Sequence, residues 1–451
     1  MQATLARKIA ALDAAEPGAW RIVSDAAESS GPDRVVALRI LGAIGSAEST
    51  ALLEATLKGN DYHAIGLAAA GLTRRQCGAY LGDLERAAHP PDGQAEPAVL
   101  DGIARAGDDQ AAKILIDVAE SAALPASGIA FGLLGKMGRA SEPLLAETVT
   151  SGRSSWSRET AAWTLLGMKD AQDVNAFRSA LSDSDERVRI AAAIGLARLG
   201  DATGEAQLNA AAGGNGDLRT DAIVSLAALG RPEAIATLRG LLAGGNEASR
   251  GQTVWAIARS GSASLKDLAY RLGVDRQPVL RGMLAERLFD PADKRDAAEL
   301  QEMLTNGDAV SKVIAAGRLM STGSNAAAQA LARALDSDNQ GARGLALQLA
   351  SGYPELRPEV AKRLASTDPA VQVAALSAIA DLRRTDEFND LAKYLTSRSP
   401  DVSASAARTL VALDPKAAKP VLRAGQTSKI NYVRIYSAAM LIAADLRTTG
   451  G

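Results

Sequence analysis

The chain has 451 residues, with 50 basic and 52 acidic side chains, 47% apolar residues, 3% aromatics and 41 glycines. Balanced charge argues against a protein built to hold a nucleic-acid backbone, which asks for a basic excess or stripe, and no run of about 18 apolar residues is present to span a membrane. A lone cysteine, Cys77, rules out an intrachain disulfide, and two histidines, His63 and His89, are too few for a zinc site of the usual ligand types.

In chain order, residues 3–14 and 17–28 read as two helices, with Pro17 suited to the first turn of the second. They are expected to form an N-terminal cap over residues 1–32 that shields the apolar end of the next helices. The start, Met1 to Lys8, lacks the apolar core of a signal peptide, which points to the cytoplasm, or to the periplasm or exterior if a leader has been removed. A first helical unit spans about 33–60 and a second opens at Asp61. His89-Pro90-Pro91-Asp92-Gly93 cannot be helical, because two prolines remove donors and fix the backbone. Residues 97–152 hold two degenerate units. The most regular block runs from Arg153 to about Arg276, and weaker units continue to 446. Residues 447–451 read as a frayed tail.

The regular block shows what the unit is. From Asp183 to Ala212 an aspartate cap precedes good helix formers, with Val188, Ala192, Ala193 and Leu196 on one face and Gly200 as the stop. A second helix over roughly Gly204 to Ala212 completes a helix pair too small to bury its own apolar side. Glycines recur at Gly45, Gly107, Gly138, Gly200, Gly230, Gly261 and Gly323, one or two steps of about 31 residues apart. A second register, eleven residues ahead of the glycine, holds Arg158, Arg189, Arg219, Arg250, Arg281, Lys312, Arg343 and Arg434, with Gln372 and Ser403 filling two places. Such recurrence predicts an all-α fold: a right-handed α-α superhelix (α-solenoid) of about fourteen helix-pair repeats over residues 33–446. The run from Asp185 to Asp201 resembles a bacterial HEAT repeat, and more narrowly the short kind named after phycobilisome lyases. The resemblance implies a solenoid and little about activity.

The cationic ladder has two readings. It lines a groove for an anionic partner, or each member bridges to an acid or carbonyl of its neighbours, as the resemblance to HEAT repeats implies. A second feature lies on the other side of the same helices. Trp163, Ile194, Val224 and Trp255 each stand five residues after the ladder position, at about 140 degrees from it around the helix. Trp156 shares the face of Trp163, and Arg198 and Arg259 flank the stripe. Tryptophan and arginine are favoured binding anchors, so these seven residues form a candidate partner-binding face. The alternative is that stacking buries them against flanking helices.

No phosphate-binding loop, dinucleotide fingerprint or nucleophile elbow is present, and no cofactor or metal is expected. Cys77 reads as a small buried apolar group and the histidines as surface residues. The leading expectation is a non-catalytic scaffold that binds a protein or peptide on its concave surface. Two alternatives are a chromophore lyase-like or other enzyme-associated factor, which the resemblance raises, and a nucleic-acid-binding HEAT-like protein acting through the arginines.

Overall fold

A computed structural model describes residues 16, 18–168, 174–244, 246–271 and 278–449. Among these, every regular element is a helix, and consecutive helices pair and stack as in an α-solenoid. The helix expected at 3–14 lies outside the described residues. The second begins at Ala19 and runs to Glu28.

The helix Glu186–Arg198 shows how sequence becomes structure. Of the two aspartates that could cap it, Asp185 does so, accepting from the Arg187 amide at 2.9 Å. Val188, Ala192, Ala193 and Leu196 are each fully buried. The helix ends where Gly200 takes φ 77°, letting the Asp201 amide reach back to the Leu196 carbonyl at 2.9 Å. All seven marker glycines adopt positive φ, between 65° and 78°. At the same register place Arg383, eleven residues after Gln372, also has positive φ, at 51°. In the next unit, Ala222, Ile223 and Leu226 are buried as the pattern requires, whereas Leu218 sits half-buried at the cap, because that helix starts only at Arg219.

The chain forms two compact units, one of residues 134–349 and one that joins 1–133 with 350–451. In the joined unit, the helices Ala19–Glu28 and Pro32–Ile44 pack on the last helix, Asn431–Thr449. Buried Glu16 accepts from Arg423 Nε and Nη2 at 2.9 and 2.7 Å, and Asn431 donates to Asp33 at 2.8 Å. The first turns thus lie against the last ones rather than ending in a cap alone. The tail expected from 447 is helical to Thr449, with Arg447 donating to the Val411 carbonyl. Helices also approach very closely in this unit: a Cβ placed on Gly42 would fall on the Gly71 carbonyl, so only glycine fits the crossing.

Residues 89–96 are non-helical, as the prolines dictate. Cys77 is fully buried, and burial pushes its thiol pKa up. His63 and His89 lie at the surface beside Glu96 and Asp117, at 3.2 and 2.9 Å. Among the described residues no cluster of three metal-ligating side chains occurs, and no helix is long and apolar enough to cross a membrane.

Candidate functional site

Several ladder residues are bonded inward, whereas Arg219, Lys312 and Arg434 have no side-chain hydrogen bond or ion pair among the described residues. Arg158 grips Asp183 through Nε at 2.6 Å and Nη2 at 2.9 Å, and donates Nη1 to the Gly152 carbonyl at 3.0 Å. Arg189 donates to the Asp183 and Ser184 carbonyls, Arg343 to Ser337 and Gln372 to Ser366. In four repeats the carbonyl lies six residues before the ladder residue, in the turn that closes the preceding helix. The ladder side chain therefore caps the turn from which its own helix departs. A neutral glutamine can fill the place because the acceptor is a carbonyl. Arg281 takes Glu302 and Glu299 instead. At Arg250 the Nε is buried without an acceptor among the described residues.

A second set of arginines lies outside the ladder register, and it includes Arg198, expected to flank the stripe. Near the end of a first helix, each reaches the closing carbonyls of the previous first helix: Arg105 to Ala69 (2.8 Å) and Leu72, Arg198 to Leu166, Arg318 to Phe289 (3.1 Å). Their signal was a basic residue in the last turn, the position favoured by the helix dipole.

The stripe is brought together on unit 134–349, although unequally. Trp156 and Trp255 are 38% and 37% exposed, Ile194 and Trp163 are half-buried, and Val224 is only 1% exposed. Val224 therefore cannot touch a partner directly. It occupies the same register place as the tryptophans, but its short side chain ends below the surface that the indoles reach. Trp163 donates Nε1 to Glu159 at 3.2 Å, and Glu159 accepts from Arg187 at 2.8 and 3.0 Å. The Arg259 guanidinium lies over the Trp163 ring at 5.5 Å while pairing with Asp221. Burial raises the Asp221 carboxyl above the usual range, and Arg259 works against that shift.

The Trp163–Arg259 contact fixes the geometry. These residues stand on the helices Ser155–Gly167 and Glu247–Ser260, three repeats apart. Helix axes in contact are about 8–10 Å apart, so a straight stack would hold the two helices far beyond side-chain reach. The stack bends sharply, and this face is inside the bend. Arg198 and Arg287 repeat the relation: they too stand three repeats apart, and the Arg287 charge is felt at Arg198. Desolvation of its charged end, followed by the field of Arg287, holds Arg198 below the ordinary guanidinium pKa, even though the residue as a whole is exposed. Arg287 lies over the exposed Trp255 ring at 5.0 Å. The seven-residue stripe is therefore not an open channel along its length. Its middle is bridged by the chain's own side chains, and its exposed aromatic surface is at Trp156 and Trp255.

Comparison with known protein families agrees with the repeat architecture. The family described as HEAT repeats matches residues 141–212 and 357–443. No curated protein matches the chain. Among solved structures, UNC-45 from Drosophila melanogaster is similar at 11% identity and TM-score 0.29, over 98% of this chain and 82% of that one. The karyopherin Kap121p bound to Pho4p is similar at 17% identity and TM-score 0.28, over 92% of this chain. The chain spans 48% of the length of that karyopherin. Human deoxyhypusine hydroxylase in complex with glycerol is similar at 17% identity and TM-score 0.22, over 70% of this chain and 98% of that one.

Proposed function

We propose that the protein is a non-catalytic HEAT-repeat scaffold that binds a protein or peptide partner on the inner face of residues 156–259. One observation supports this reading: Arg259 reaches over Trp163 from three repeats away, while Trp156 and Trp255 on the same stripe remain exposed. Large apolar side chains left in contact with water mark interaction sites, and the concave side of a solenoid offers a partner the greatest surface per residue. The ladder arginines are not the binding groups in this reading, because four ladder places spend their donors on backbone carbonyls.

The test compares affinity capture by the wild-type chain with capture by a Trp156→Ala/Trp255→Ala variant of the same helicity. Loss of the specifically retained proteins from the variant is the expected result. Retention of the same set by both chains ends the proposal.

A further inference from the structure

The inner face carries more than apolar surface. Of its four arginines, two are matched with carboxylates: Arg187 with Glu159, and Arg259 with Asp221. The other two have no carboxylate partner among the described residues. Arg198 spends a donor on the Leu166 carbonyl, and Arg287 lies over Trp255. Arg287 is exposed, and among the described residues its guanidinium has no hydrogen bond or ion pair, so its N–H donors remain available beside the indole. Those donors match a planar carboxylate, which can accept two parallel hydrogen bonds from them. Arg198 and Arg287 also repel each other, so an anion seated near both relieves an unfavourable field instead of creating one. In addition, Arg259 Nε is buried with no acceptor among the described residues. Glu286, beside Arg287, is exposed and lies at the register place of the tryptophans.

Resting on the binding face argued above, we propose that its occupant is an acidic peptide segment. A carboxylate of the partner lies against the edges of Arg287 and Arg198, and an adjacent apolar side chain packs on Trp255 and Trp156. Charge complementarity selects a peptide over a nucleic acid. The cations are interleaved with Glu159, Asp221 and Glu286 rather than forming an unbroken basic stripe, and the chain as a whole has net charge -2. A phosphodiester backbone would bring its repeated charges against those acids, whereas a spaced carboxylate meets the arginines alone.

The experiment uses two synthetic peptides, acetyl-Glu-Leu-Glu-Leu-Glu-amide and its Gln-Leu-Gln-Leu-Gln counterpart, titrated against the full chain by tryptophan fluorescence. Three of the four tryptophans lie on this face. The Glu peptide is expected to bind at least about tenfold more tightly. Arg287→Gln should abolish that preference, Arg287→Lys should weaken it because a stacked fork becomes a point charge, and Arg75→Gln, which lies in the other unit, should leave it intact. Because Arg198 also caps a helix, Arg198→Gln is read only alongside its circular dichroism, and Arg287→Gln decides. If both peptides bind equally and Trp255→Ala abolishes both, the acidic inference falls while the binding face stands. If neither binds, both fall. A labelled DNA duplex bound in a salt-sensitive way at Arg287 would overturn the peptide as occupant.

Discussion

Arg383 offers a direct test of the register argument. It stands where seven repeats place a glycine, and like those glycines it has positive φ, at 51°. The Arg384 amide reaches back to the Ile379 carbonyl at 3.2 Å, the same five-residue return that Asp201 makes to Leu196. A residue with a Cβ in this conformation costs roughly 1–2 kcal/mol. Glycine would remove that strain but adds about 0.5–1 kcal/mol of unfolded-chain entropy. Arg383 is exposed and has no side-chain hydrogen bond or ion pair among the described residues, so little is lost with it. Arg383→Gly should therefore stabilise its unit by about 0.5–1 kcal/mol. In urea unfolding followed at 222 nm, that corresponds to a midpoint raised by roughly 0.2–0.5 M. The reciprocal change, Gly200→Ala, introduces a Cβ with nothing within 4 Å, so its cost is backbone strain alone, about 1 kcal/mol. An unchanged or lowered midpoint for Arg383→Gly, together with a neutral Gly200→Ala, would refute the claim that these stops demand left-handed backbone.

Particular contacts set the other expectations. The Arg158 hydrogen bonds hold the Asp183 carboxyl below the usual carboxylate range. A depressed folded pKa contributes stability above the unfolded value, near 4, and loses it as pH falls through the folded value. Asp183→Asn should thus cost about 1–3 kcal/mol at pH 7 and little at pH 2, as chemical unfolding at the two pH values would reveal. Gly42→Ala must push apart the crossing at Gly71 and should destabilise by more than about 2 kcal/mol; a melting temperature equal to wild type would contradict the close approach. Glu16→Gln removes the buried charge and one of the two acceptor oxygens that Arg423 uses, and hydrogen exchange should quicken in both Ala19–Glu28 and Pro415–Gln426. Protection that stays unchanged in Pro415–Gln426 would mean that the ion pair holds nothing there.

What could be read from the sequence was whatever a repeat imposes on residue type. Gly200 and its counterparts were legible because positive φ nearly dictates glycine, and Val188, Ala192, Ala193 and Leu196 because helical spacing gathers them on one face. The acceptors of the ladder were not, since Arg189 and Gln372 bond to carbonyls and a carbonyl belongs to every residue type. The stripe was half legible. Periodicity put Val224 and Trp255 at one angle, but exposure depends on how far each side chain reaches past its neighbours, which makes Trp255 a surface and Val224 a floor. Contacts between distant repeats, such as Trp163 with Arg259 or Glu16 with Arg423, leave no trace in a period that relates only adjacent turns.

The pairing of early and late helices has a consequence for synthesis. The apolar flanks of Ala19–Glu28 and Pro32–Ile44 that meet Asn431–Thr449 have no lasting cover until that helix has been made. Residues 134–349 draw on no such late arrival, and that portion can settle on the ribosome while the earlier-made stretch still waits for its counterpart. A ribosome stalled before residue 431 would therefore carry a folded middle and an unfinished beginning.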